Sequence, residues 1–295
     1  MVAWSSAVHA GSAAPRQSDQ KHVKHIILFI GDGMQLAHEV AASRYLFGRD
    51  DHLAFHRFPY RGCVTTWDVT TYNFWARRRE SPAFQPDHFR PWLGYDISKG
   101  GIQPYPLQTV GLDPAYLRAA ATDSASAATA WATGFKTDTG NIAWRTGDPP
   151  NGELPTIAEI LRREKGFAIG VVSTVPFAHA TPAAHVSHNT QRNDTIGIAS
   201  EIIYSFQPEV VIGGGHPQWF GSFKYLSESD YLALKKDGTG GVYTFIERRD
   251  GVGAAEALQS AVQEAVSNKK KLFGLFGGKD GNFEPPQPQH RPCLL

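Results

Sequence analysis

The apolar positions of the chain follow two rhythms. The run His25-Ile26-Ile27-Leu28-Phe29-Ile30 is continuous, which predicts a strand buried on both faces, as in a parallel sheet. It breaks at Gly31-Asp32-Gly33, a turn, and residues 34–47 then read as a helix. A second strand is expected at Gly62–Trp67. Residues 68–115 carry aromatics and prolines without a clean period, so they read as a long loop, either a cap on the substrate side or an insertion. Beyond them the pattern becomes regular. Residues 124–133 predict a helix closed by Gly134, and Thr156–Lys165 another, stopped by Gly166. Phe167–Val175 predicts a buried strand, residues 182–188 a short helix and 194–206 a longer one. Glu209–Ile212 predicts a short strand that runs into Gly213-Gly214-Gly215. Val242–Ile246 (strand), Val252–Asn268 (helix) and Lys271–Phe276 (strand) complete the series. Alternating strands and helices predict an α/β fold: an open, largely parallel sheet with helices on both faces. Residues 1–22, polar and rich in small side chains, read as a leader or disordered segment. Residues 23–295 read as one domain with no internal repeat, ending in the proline-rich stretch 285–295, a surface loop.

Composition narrows the function classes. Hydrophobic residues make up 41% and charged residues 19% of 295 positions, ordinary for a globular chain. A formal net charge of +1 gives no global field to draw in nucleic acid or an acidic membrane. Anion selectivity must come from a local site. The two cysteines, Cys63 and Cys293, form no CxxC pattern, which excludes a thiolate metal cluster and makes two unpaired thiols the expectation. No apolar run reaches the roughly 18 residues of a spanning helix. Ala7-Val8-His9-Ala10 has the small residues of a signal-peptidase site, but the residues before it are too few for a whole export signal. They fit the tail of such a signal or a disordered leader.

Three clusters fall just beyond the carboxyl ends of expected strands, where an open α/β sheet places its ligands. Asp32, between two glycines, suits a hard cation such as Mg2+, and Zn2+ accepts it too; it equally suits a helix cap in a strand-to-helix turn. Ser124 opens a helix of small residues, where unpaired backbone N–H groups and the helix dipole favour a phosphate or an alkoxide. A serine cap on a packed alanine-rich helix gives the same pattern. His179 and Thr181 follow a strong strand, with Pro182 expected at the first helical position, and Arg192 has the fork that binds a phosphate through two hydrogen bonds. Each alone also fits a structural histidine and a solvated charge. His185 and His188 are spaced poorly for a zinc pair and read as structural or exposed, and His216 is a weak candidate. A phosphate-binding P-loop and a GxGxxG turn are both missing, so a nucleotide cofactor is unsupported.

Together the three clusters resemble the alkaline phosphatases. Residues 122–137, Thr-Asp-Ser-Ala-Ser-Ala-Ala-Thr-Ala-Trp-Ala-Thr-Gly-Phe-Lys-Thr, match that family's nucleophile signature almost without a break. Gly31-Asp32-Gly33-Met34 matches its metal-binding turn, and Ala180-Thr181-Pro182-Ala183-Ala184, with Arg192 downstream, its third block. The resemblance implies that Ser124 attacks phosphorus and becomes a phosphoserine. It implies that Asp32 bridges a zinc and the magnesium, that Thr181 is a magnesium ligand, and that His179 lies near the magnesium shell. Arg192, held by Asp123, would clamp the non-bridging phosphate oxygens. The implied cofactors are Zn2+ and Mg2+, and the implied substrate a phosphate monoester. A homodimer and a periplasmic or secreted location follow only by family analogy.

The sequence departs from the family in its remaining ligands. The family's later Glu-Gly-Gly-x-x-Asp-x-x-x-His block, Asp-His pair and final histidine are not found in these residues, and after His216 the only histidine is His290. The fold is therefore expected to be incomplete at its C-terminus and the chain as given inactive or nearly so. A phosphodiesterase or sulfatase of the same superfamily and a non-catalytic phosphate-binding remnant are the competing expectations.

Overall fold

The computed structural model describes residues 23–60, 67–71 and 121–283. They divide between two units, the first holding 23–60 and the second 67–71 and 121–283.

In the first unit, helix α1 spans Leu36–Phe47 and ends at Gly48, whose φ of 68° is left-handed. A short 3₁₀ turn follows at Ala54–Arg57. The expected strand at 25–30 is not formed. Its backbone is irregular, and Ile27 and Phe29 are 76% and 86% exposed. A strand needs a neighbour for its ladder of N–H and C=O groups. No strand pairs with this run among the described residues. The expected strand Gly62–Trp67 lies, except for Trp67, outside the described residues, as do most of the expected loop 68–115 and the tail 285–295.

The second unit carries the sheet. Among the described residues its helices include α2 (Ser124–Thr133), α3 (Ile157–Lys165), α4 (Ala180–Ala183), α5 (Thr195–Ser200), α6 (Pro217–Phe220), α7 (Glu228–Gly241) and α8 (Ala254–Ser267). Its strands are β1 (Gly170–Pro176), β2 (Val210–Gly214), β3 (Tyr243–Glu247) and β4 (Lys271–Leu275). All neighbours pair in parallel, in the order β1-β2-β4-β3. Successive side chains of a strand point to opposite faces. Val211, Phe273, Leu275 and Tyr243 therefore join the larger core, with Ala125 and Ala128 of α2, Ala180 and Ala183 of α4, and Leu234 of α7. Val210, Ile212, Leu272 and Ile246 face the other way, against Leu258, Ala261 and Ala265 of α8. Helices thus cover both faces, as expected.

Several boundaries differ from expectation for local reasons. β1 is not buried throughout: exposed and half-buried residues alternate along it, and Val172 is 66% exposed. Among the described strands it lies at the edge of the sheet, pairing with β2 alone. α4 starts at Ala180, so Pro182 is the third helical residue rather than the first. The first turn has no use for its N–H groups, so proline is tolerated there. The segment expected as one helix at 194–206 is α5 followed by a π-helical turn, Glu201–Phe206. α7 was not foreseen. Its cap, Ser227 accepting from the Asp230 N–H at 3.1 Å, is orthodox, but Gly238, Thr239 and Gly240 near its end have positive φ and obscure the pattern. The glycine run after β2 is explained by close approach: a Cβ on Gly214 would collide with the carbonyl oxygen of Gly281.

Candidate active site

α2 exists because alanines favour a helix and its ends are well made. Asp123 is the N-cap, its carboxylate accepting from the Ala125 N–H, and Gly134 closes the helix at φ 80°. Ser124 is therefore the first helical residue, half-buried, in the turn whose N–H groups have no acceptor within the helix. An anion at this position would meet the positive end of a ten-residue helix.

Asp123 also ties in Arg192. One Asp123 oxygen accepts from Arg192 Nη1; the other accepts from the Ala125 N–H at 3.2 Å and the Gly140 N–H at 2.9 Å. Both members are largely covered, Arg192 keeping 23% and Asp123 15% of their side-chain surface. The other guanidinium arm, Nη2, lies 3.4 Å from His179 Nε2, which accepts from it when the ring proton is on Nδ1. His179 is the N-cap residue of α4, just past the carboxyl end of β1. Thr181 lies in α4, and its carbonyl oxygen is 3.1 Å from His185 Nδ1. The structure thus brings Asp123, Ser124, Arg192 and His179 together on α2, α4 and the segment after α4. Asp32 lies in the other unit, exposed in a turn where the Met34 N–H bonds to the Gly31 carbonyl at 3.1 Å. It does not cap α1, whose N-cap is Gln35.

His188, His185 and His216 make contacts within the fold. His188 is a largely covered cation. Its Nδ1 is 3.0 Å from Glu201, and its Nε2 3.1 Å from the Leu154 carbonyl and 3.5 Å from Glu159. Burial pulls its pKa down, but Glu159 and Glu201 more than reverse this and hold it up at about 10. His185 is half-buried, and desolvation lowers its pKa. His216 is fully buried, with Nε2 3.2 Å from Glu247 and Nδ1 accepting from the Gln218 N–H at 3.3 Å.

The residues that sequence reasoning passed over are those behind the pair. Thr129 Oγ donates to the Asn141 carbonyl at 3.0 Å and accepts from the Ala143 N–H at 2.8 Å. Asp68, 1% exposed, accepts from Thr71 N–H at 2.7 Å and Thr139 Oγ at 2.9 Å. Lys136 sits 4.8 Å above the Trp67 ring; burial lowers its pKa to about 8, partly opposed by Asp68. Thr129 and Lys136 lie within the serine signature, where neither residue's partner can be read; Asp68 carries no local signal at all.

The structure is thus an α/β protein in which a helix opens on a serine next to a carboxylate that holds an arginine. The family model of the alkaline phosphatases matches residues 104–294, more than half of the chain. The chain belongs to the alkaline phosphatase family. It is 30% identical over 223 residues to streptomycin-6-phosphate phosphatase of Streptomyces griseus, covering 70% of this chain and 39% of that protein. It is 27% identical over 291 residues to alkaline phosphatase of Escherichia coli (strain K12), covering 92% of this chain and 50% of that one. The crystal structure of Thermus thermophilus alkaline phosphatase aligns at 21% identity and a TM-score of 0.44, over 82% of this chain and 46% of that one. The chain thus spans at most about half the length of these relatives. Among the described residues, no helix is long and apolar enough to cross a membrane.

Proposed function

We propose that this chain carries the nucleophile and the phosphate clamp for hydrolysis of phosphate monoesters. The single observation behind this reading is the Asp123–Arg192 ion pair standing beside Ser124 at the start of α2. Ser124 Oγ attacks phosphorus, the P–O bond to the leaving group breaks, and the departing alcohol takes up a proton. Water then displaces Ser124 from the phosphoserine and releases inorganic phosphate. Arg192 holds the non-bridging oxygens, and Asp123 keeps its side chain in one orientation, so little rotamer freedom is lost when phosphate arrives. The N–H groups at the start of α2 add partial positive charge where negative charge gathers.

Family membership carries a proposal of Zn2+ and Mg2+ as cofactors. The described residues do not by themselves fit such a site. No group of His, Cys, Asp or Glu side chains able to hold a metal ion is found among them, and His179 Nε2 faces a guanidinium, which repels a cation. Positioning and charge stabilisation by Ser124, Asp123 and Arg192 are therefore the part of the chemistry that this chain's own residues supply.

The test is incubation with a radiolabelled phosphate monoester, in the presence of Zn2+ and Mg2+, followed by an acid quench. Label is expected on the wild-type chain at Ser124 and on none of the Ser124→Ala protein. Label that survives the substitution refutes Ser124 as nucleophile. Phosphate that protects the wild type from unfolding while no label forms favours a phosphate-binding role without turnover.

A further inference from the structure

The Asp123–Arg192 pair joins parts of the chain that are far apart in sequence, and something must set their separation. The segment 140–143 does so by bonding in both directions. On one side Thr129, on α2, accepts from the Ala143 N–H at 2.8 Å and donates to the Asn141 carbonyl at 3.0 Å. On the other side Ile142 and Asn189 exchange two backbone hydrogen bonds, each 2.8 Å, and the Arg192 N–H donates to the Gly140 carbonyl at 2.8 Å. Gly140 closes the circuit, because its own N–H donates to Asp123 at 2.9 Å. One residue therefore holds the carboxylate of Asp123 with its nitrogen and the backbone of Arg192 with its oxygen.

That double duty fixes the direction of both Gly140 peptide groups, and the conformation that satisfies them has φ of 90°. A side chain strains this region, for which glycine alone has free access and asparagine the readiest entry among L-residues. Crowding is not the reason for glycine: a Cβ placed there meets no atom within 4 Å. The requirement lies in the backbone alone.

We propose that Gly140 is the positioning residue of the phosphate clamp, setting Arg192 relative to Ser124 through its two peptide groups. This rests on the reading that Arg192 binds phosphate. Gly140 itself touches no substrate. Its substitution turns the N–H away from Asp123 or the carbonyl away from Arg192, and a clamp arm displaced by a fraction of an ångström loses its fit to the phosphate oxygens.

The test is calorimetric titration of the full chain with inorganic phosphate, comparing wild type with Gly140→Ala, Gly140→Asn and Arg192→Ala. Gly140→Ala is expected to bind phosphate about tenfold more weakly, below the ~10²-fold cost of a full ångström of misplacement. Gly140→Asn is expected to recover most of that affinity, a rescue that follows tolerance of positive φ rather than side-chain size. Wild-type affinity in Gly140→Ala together with loss in Arg192→Ala overturns the proposal while leaving the clamp intact. Unchanged affinity in Arg192→Ala refutes the clamp itself, and the role of Gly140 with it. Should Gly140→Ala not fold, Thr129→Val, which frees the segment from α2 without adding volume, carries the same expectation, and undiminished affinity there also overturns it.

Discussion

His188 stands between Glu159 of α3 and Glu201 of the π-helical turn, 90% of its side chain covered. Removing the cation leaves two carboxylates facing each other with no positive charge between them, so His188→Gln is expected to cost about 3 kcal/mol in unfolding free energy. Its pH dependence has a definite sign. The folded pKa of about 10 lies above the ordinary 6.5, so the unfolded chain releases its proton first. The stabilisation is complete below pH 6.5 and fades as pH rises toward 10. Denaturant titrations across that window should show the stability gap between wild type and His188→Gln shrinking with pH. A gap that is constant refutes the charged triad. Lys136, with its folded pKa lowered to about 8 from 10.5, acts oppositely, destabilising the fold below pH 8 and ceasing to do so toward 10.5. It is common to both proteins and cancels from the difference. At this scale the family resemblance paired Arg192 with Asp123, but the residues that set their separation were not legible. Ser124 and Asp123 were legible because a helix start announces itself locally. The involvement of Gly140 was not, because it depends on a hydrogen bond to residue 192.

The start of α3 shows what a cap does beyond its helix. Thr156 accepts from the Glu159 N–H at 3.2 Å, and Glu159 returns a bond to the Thr156 N–H at 2.7 Å. Thr156→Ala is expected to cost about 1 kcal/mol. Glu159 also faces His188, so Thr156→Ala and His188→Gln share a partner, and the double mutant should depart from additivity by at least about 0.5 kcal/mol. A chemical-denaturation cycle measures this directly, and strict additivity would separate the cap from the triad. Elements with clean ends, such as α2 and α3, were placed within a residue of their observed start by sequence. α7 was missed although Ser227 and Asp230 spell its beginning, because Gly238, Gly240 and Gly241 near its end suggest a loop. The segment 25–30, exposed at residues 25–29, marks the opposite error. Periodicity reports that a segment is apolar, not whether another strand is there to receive it.

At the scale of the molecule, the parallel sheet with helices on both faces was readable from the alternation of elements, while the order of strands was not, since no local pattern encodes it. The exposure of Phe29 gives a direct check: Phe29→Glu should change unfolding free energy by less than about 0.5 kcal/mol, as surface substitutions do, and should lower any tendency to self-associate. A loss of several kcal/mol in thermal or denaturant unfolding would instead reinstate a buried strand at 25–30. The strand order has a further consequence, for the chain as it is made. β3 is synthesised before β4, yet among the described strands it pairs with β4 alone, which also joins it to β2. Until Lys271–Leu275 leaves the ribosome, β1 and β2 can meet, but β3 lacks the strand it zips against. Closure of this sheet must therefore wait for the synthesis of β4, and until then the nascent chain carries an unpaired apolar strand, the kind of exposed edge that chaperones exist to cover.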